Sequence, residues 1–141
     1  MVVSYKHFMV LGLGIVLLAA VLYPWSRIEA GSTALDGKTF IVKSGFLGQE
    51  AGSEDELAFR SGKFYSATCT PWGFTGGEYT RRIEGDKTYF EALTASPKHG
   101  RISWAGEIEG DTITGTYVWT KERWYWKDAR QDKWFRGVVK H

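Results

Sequence analysis

The positions of three glycine-containing two-residue turns constrain this fold more than any other feature of the sequence. Gly110-Asp111 is the clearest of them, because tight turns of this composition join antiparallel strands. Once these two residues form the turn, the pleat of the strands assigns each flanking residue to one face. One face then holds mostly apolar pairs, namely Ile108–Ile113, Gly106–Gly115, Trp104–Tyr117 and Ile102–Trp119. The sequence therefore predicts a β-hairpin with an apolar inner face.

Two further turns have the same design, at Gly85-Asp86 and at Ser61-Gly62. The pairs that they predict on the more apolar face are Arg81–Phe90, Tyr79–Ala92 and Phe59–Phe64. Successive tight hairpins give an up-and-down meander, and a first strand near 39–43 and a last near 133–139 bring the total to about eight. Because eight strands can close, which removes exposed sheet edges, we predict an all-β domain over residues 39–141, an antiparallel up-and-down barrel.

The first thirty residues differ in character from the rest of the chain. After Lys6, an uncharged and largely apolar stretch runs over residues 8–26. This is the layout of a secretory signal peptide, with Ala30 just before the cut. Nineteen uncharged residues also approach the roughly 20 that cross a bilayer as a helix, so a retained transmembrane anchor is the alternative. Both interpretations of residues 1–30 predict an extracytoplasmic domain, periplasmic or secreted, after a linker at 31–38.

The meander and the stretch from Gly100 to Trp119 resemble small bacterial barrels of the calycin type, the lipocalin- and avidin-like group. They are similar in particular to exported bacterial proteins of uncharacterised function. The similarity covers roughly residues 37–139. Lipocalins carry a Gly-x-Trp motif on the first strand, where this chain has Gly37 and Phe40 at a different spacing. The resemblance implies ligand binding in or at the barrel.

Four side chains are the candidate ligand-binding residues. Trp104, Tyr117 and Trp119 share the inner face of the best-defined hairpin. Arg81 falls on the inner face of its own hairpin, where a buried guanidinium needs an acceptor. It would either stack on an aromatic ring as a structural plug or bind an anionic group of a ligand. A register error of one residue would place Arg82 inside instead.

Aromatic and basic side chains alternate through residues 116–136. Such a stretch closes one end of a barrel, contacts a membrane interface or stacks on sugars. We also expect Trp72 and Phe74 to cap one end of the barrel. Outside the first thirty residues, sixteen Lys and Arg face fifteen Asp and Glu. This near-neutral balance argues against nucleic-acid binding.

Residues for metal or catalytic chemistry are sparse. The three histidines are far apart, at His7, His99 and His141. Cys69 is the single cysteine, so no disulfide and no zinc or haem spacing exists. We favour its interpretation as a small apolar residue on a strand over that of a reactive thiol. Glu107 and Glu109 fall on the outer face of their hairpin. We therefore predict no metal, no cofactor and no enzymatic activity.

These observations favour a non-catalytic extracytoplasmic barrel that binds a small apolar or amphiphilic ligand, or an envelope partner. The alternative is a structural accessory subunit of a membrane complex, anchored by residues 8–26. An enzyme of unknown type is the least favoured interpretation, because no catalytic constellation is visible.

Overall fold

A computed structural model describes residues 33–141, which form a closed barrel of eight antiparallel strands in sequence order. The strands are β1 (Thr39–Phe46), β2 (Ser53–Arg60), β3 (Lys63–Ser66), β4 (Gly77–Glu84), β5 (Lys87–Ser96), β6 (Gly100–Glu109), β7 (Thr112–Lys121) and β8 (Ala129–Val139). A single 3₁₀ turn, Thr70–Trp72, lies between β3 and β4. The predicted all-β up-and-down barrel is confirmed.

The hydrophobic segment 1–30, predicted as a signal peptide or an anchoring helix, lies outside the described residues. Within residues 33–141 no helix is long and apolar enough to cross a membrane.

The three tight turns set the register as predicted. The structure pairs Gly106 with Gly115, Arg81 with Phe90, and Phe59 with Phe64. At two of the turns the first residue is a glycine with a positive φ, +57° at Gly85 and +58° at Gly110. Other residues rarely adopt this conformation, which explains why the turns occur where they do.

The first and last strands are longer than predicted. β1 continues to Phe46 and β8 begins at Ala129. The additional residues pair where the barrel closes, with Phe46 opposite Lys133, and beside β7, with Lys121 opposite Ala129. Because these pairings join strands that no tight turn connects, the local pattern does not show them.

Aromatic rings fill the middle of the barrel. The Phe59 ring lies 5.3 Å from Phe64, 4.9 Å from Tyr79 and 5.1 Å from Phe90, all measured between centroids. Other large side chains with at most 2 % exposure are Phe40, Phe135 and Trp104. Their packing makes the middle of the barrel a hydrophobic core.

The paired glycines on the inner face make room for these rings. A Cβ on Gly106 would lie 2.6 Å from the Phe90 ring, and a Cβ on Gly115 would lie 2.5 Å from the Phe135 ring. Both distances are shorter than a carbon–carbon contact, so the two large rings occupy space that any other residue pair would need.

The two ends of the barrel differ. The three tight turns, the start of β1 and the end of β8 lie at one end, which we call the turn end.

At the turn end, residues 33–38, from the segment predicted as a linker, form a turn whose Leu35 is 4 % exposed. Tyr79 Oη accepts a hydrogen bond from Leu35 N and donates one to Asp36 Oδ1, both at 2.9 Å. This turn therefore closes the turn end.

The longer connections lie at the opposite end, which we call the loop end. They are residues 47–52, 67–76, 97–99 and 122–128. Functional sites are concentrated on loops that a rigid scaffold positions, so the loop end is where a binding site is expected.

Candidate functional site

A concavity of about 490 Å³ opens at the loop end of the barrel. We call it the mouth. Strands β7 and β8 supply inner-face residues to its wall, and the loop 67–76 supplies others. Its lining includes Cys69, Phe74, Ile102, Tyr117, Trp119 and Lys133. The mouth thus combines apolar rings with a few polar groups, the usual composition of a small-molecule site.

Tyr117 forms part of the mouth wall and rests on the core. Its ring stacks on the buried Trp104 ring with a centroid distance of 4.4 Å. Its hydroxyl shares a hydrogen bond of 2.6 Å with Ser44 Oγ of β1, which lies on the other side of β8. Burial raises the pKa of the Tyr117 phenol more than this hydrogen bond lowers it, so the phenol is neutral at physiological pH.

Trp119 connects the barrel wall to a loop at the rim of the mouth. Its Nε1 donates a hydrogen bond of 2.6 Å to the backbone oxygen of His99. The His99 ring in turn packs edge-on against Trp72, with 5.4 Å between centroids. The bond from Trp119 therefore holds the loop 97–99 at the edge of the mouth.

A buried carboxylate holds the start of the loop 67–76. Asp55 accepts hydrogen bonds from Ser66 Oγ, from the backbone N–H of Thr68 at 2.9 Å and from that of Glu56 at 2.7 Å. Because Thr68 immediately precedes Cys69, this network sets the position of the thiol in the mouth. Among residues 33–141, no buried side-chain nitrogen or oxygen lacks a hydrogen-bond partner.

Cys69 lies in the loop 67–76, just before the 3₁₀ turn, so the prediction that it lies on a strand is wrong. Its thiol is half-buried in the mouth. Burial raises its pKa, and the negative charge of Asp55 acts in the same direction. Hydrogen bonds with Ser66 and Thr68 and the positive charge of Lys133 oppose the rise without cancelling it. The thiol is consequently protonated at neutral pH, where the thiolate would be the reactive form.

We expect Cys69 to react with iodoacetamide more slowly than glutathione at neutral pH, because burial raises its pKa and less thiolate forms. The rate should rise with pH until the raised pKa is passed. Trapping the single cysteine at several pH values and measuring the mass increase tests this. The same protein unfolded in urea serves as the control and should react like glutathione. Equal rates for folded protein and glutathione at neutral pH would contradict the raised pKa.

The structure brings together three of the four predicted binding residues. Tyr117 and Trp119 line the mouth, and Trp104 lies beneath Tyr117. Arg81 lies elsewhere, half-buried on β4 as its register predicted. It contributes to a separate concavity of about 480 Å³, which shares no lining residue with the mouth.

Arg82, the alternative to Arg81, faces outward. Its guanidinium lies 3.1 Å from Glu84 and 4.6 Å from the centroid of the Tyr89 ring. The register error considered for this hairpin is therefore absent.

The rings of residues 116–136 divide between two environments. Tyr117 and Trp119 point toward the interior and line the mouth at the loop end. The loop 122–128 carries exposed rings instead, and Trp124 is 96 % exposed. Of the two residues expected to cap one end of the barrel, Phe74 is buried and Trp72 is exposed.

Sequence reasoning did not single out Lys133 as a site residue. It treated this lysine only as one basic residue of an aromatic stretch. The sequence did contain a signal for the face of Lys133. Successive residues of a strand point to opposite faces, so Lys133 points to the same face as the apolar residues Phe135 and Val139. The same alternation was available for Asp55, which shares a face with Leu57 and Phe59, and for Ser44, which shares a face with Phe40 and Val42.

Comparison of the chain with known protein families, with curated protein sequences and with solved structures found no match. The resemblance to calycin-type barrels stays a prediction, and the mouth is interpreted from its own geometry.

Proposed function

We propose that this chain is a non-catalytic extracytoplasmic barrel that binds a small apolar or amphiphilic ligand in the mouth. The observation that carries the proposal is the convergence of apolar rings and a few polar groups on a concavity of about 490 Å³. Ligand sites in proteins typically enclose about 300–1,000 Å³ and have this mixed lining.

The packing below the mouth supports a compact ligand. Tyr117 and Ile102 form the deep side of the mouth, and the buried rings of Trp104 and Phe135 occupy the space beneath. Trp104 acts as a positioning residue, because it touches Tyr117 and does not line the mouth itself. A ligand of about the size of one or two rings suits such a site.

The extracytoplasmic location is supported by the layout of residues 1–30. A tether before residue 33 would join the barrel at its turn end. The mouth, at the loop end, would then point away from the tether. The alternative role, an accessory subunit of a membrane complex held by residues 8–26, stays a prediction because those residues lie outside the described structure.

Blocking the mouth tests the proposal. Gln131 faces the mouth from β8 and is exposed, so Gln131→Trp adds a ring to the mouth without disturbing the core. We expect this variant to bind the neutral fluorescent probe N-phenyl-1-naphthylamine at least about tenfold more weakly than the original chain, a difference of ~1.4 kcal/mol. Probe fluorescence measured against protein concentration gives both affinities.

Arg130→Trp is the matched control, because Arg130 is the preceding residue and is exposed on the outer face. It should leave the affinity within about twofold, a difference of under ~0.5 kcal/mol. Equal affinities of the two variants would place the probe outside the mouth. Absence of binding to the original chain would count against the proposed function itself.

A further inference from the structure

One lysine lies on the inner side of the barrel at the mouth. On β8, Lys133 shares its face with the buried Phe135, and it pairs with Tyr117 on β7 and Phe46 on β1. Of the described residues that line the mouth, Lys133 is the only lysine, arginine, aspartate or glutamate. The lining therefore carries one permanent charge, and it is positive.

Two aromatic rings lie close to the ammonium group of Lys133. Its Nζ lies 4.9 Å from the centroid of the Phe46 ring and 5.7 Å from that of Tyr117. Within residues 33–141, Lys133 is in none of the ion pairs with N···O distances up to 4.0 Å. Ring faces attract a cation but do not neutralise it.

Basic residues on the outer face have two kinds of environment, and some of them, such as Arg60 over the Tyr65 ring and Arg136 over the Trp134 ring, also lie against aromatic rings. Five of them lie next to carboxylates, in the pairs Arg82–Glu84, Lys87–Glu107, Arg101–Glu122, Arg130–Asp132 and Lys140–Glu56. Asp55, the carboxylate that strand register places on the inner side, instead accepts three hydrogen bonds from Ser66, Thr68 and Glu56. Within residues 33–141 no carboxylate oxygen lies within 4.0 Å of Lys133 Nζ, so its charge can act on a ligand that enters the mouth. The negative charge of Asp55 also acts on Cys69 and Tyr117, so an anion must bind on the Lys133 side of the mouth.

A cation within a concave, partly apolar site attracts anions more strongly than one on an open surface, because less water screens it. We propose, on the premise that the mouth is a ligand site, that it selects ligands carrying an anionic group and that Lys133 binds this group. The hydroxyl of Tyr117 and the thiol of Cys69 are neutral neighbours that do not compete with the anion.

The shape of the mouth defines the rest of the ligand. Trp119 and Phe74 present rings to the mouth, which suit a flat apolar body. A long acyl chain would need the space below Tyr117, where the stacked Trp104 ring lies. The ligand class is therefore a compact aromatic or cyclic acid, with a carboxylate, sulfonate or phosphate on a ring-sized apolar body.

Two probes that differ by one anionic group test the proposal. 8-Anilinonaphthalene-1-sulfonate has the same aromatic body as N-phenyl-1-naphthylamine and adds a sulfonate. We expect the original chain to bind the sulfonate at least about fivefold more tightly than the neutral probe. Lys133→Met keeps an apolar side chain of similar length, and it should weaken sulfonate binding about tenfold while changing neutral-probe binding less than twofold.

Two further variants separate charge from structure. Lys133→Arg retains the cation and should restore most of the sulfonate affinity, whereas Lys43→Met removes an exposed, outward lysine of β1 and should change neither probe. Added salt should weaken sulfonate binding to the original chain and leave the neutral probe unaffected, a measurement that needs no variant.

The outcomes distinguish this inference from the proposed function. If the neutral probe binds in the mouth but Lys133→Met leaves the ratio of the two affinities unchanged, the anion selectivity is wrong and the ligand site stands. If neither probe binds, the ligand site itself is wrong.

In competition, 1-naphthalenesulfonate should displace the probe better than decanoate does, and the reverse order would overturn the ring-sized ligand class.

Discussion

Trp104→Ala is expected to lower the free energy of unfolding by about 3–5 kcal/mol. The indole is 2 % exposed, stacks on Tyr117 and lies 4.9 Å from the Phe64 ring, so its removal leaves a cavity that rigid neighbours cannot fill. Its Nε1 also donates a hydrogen bond of 3.0 Å to Thr94 Oγ1, and this buried hydroxyl would lose its partner. Urea unfolding followed by far-ultraviolet circular dichroism measures the loss.

Trp124→Ala is the matched control for this substitution. The Trp124 side chain is 96 % exposed, and the variant should unfold within about 0.5 kcal/mol of the original chain. A loss below about 1 kcal/mol for Trp104→Ala would be incompatible with a packed ring at the centre of the barrel. Because Trp104 supports Tyr117, the destabilised variant should also bind the naphthalene probes more weakly where it remains folded.

Gly115→Val is expected to lower the free energy of unfolding by about 3 kcal/mol. A Cβ at this position would lie 2.3 Å from the backbone oxygen of Ala105 and 2.6 Å from Cα of Gly106. Both are backbone atoms of β6, so the two strands would have to separate, and the Phe135 ring at 2.5 Å would have to move as well. The same urea titration measures this effect.

Thr116→Val provides the comparison, because Thr116 is the next residue on β7 and points outward. Valine suits a strand, and this variant should stay within about 0.5 kcal/mol of the original chain. Equal stability of the two valine variants would show that the glycine pair is not needed for ring packing.

The inner and outer faces of the three hairpins were predictable because tight turns leave no freedom in register. Once Gly110-Asp111 is the turn, Trp104 and Tyr117 must share a face, and the side-chain period of two extends this to the ends of both strands. The same reasoning placed Arg81 beside Phe90 and placed Arg82 outside. The three hairpins account for six strands and for the all-β class, and the segments near 39–43 and 133–139 bring the predicted total to about eight.

The candidate site was predictable only in part. Tyr117 and Trp119 came directly from the hairpin register, and Trp104 came with them as the ring beneath. Lys133 lies on β8, which follows the seven-residue loop 122–128, and a loop of this length does not determine which residues of the next strand pair with β7. The alternation of β8 could place Lys133 on the inner face, but only the structure shows that it pairs with Tyr117 and Phe46 at the mouth.

The sequence by itself determined the hairpin registers, the faces of their residues and the number of strands, because these depend on local spacing and on the two-residue period of a strand. Only the tertiary structure decided how β1 meets β8, and therefore that Lys133 lies over the Phe46 ring and that Ser44 reaches Tyr117 over β8. Closure depends on the combined twist and stagger of all eight strands, which no local segment encodes. The mouth and its positive charge are consequences of that closure.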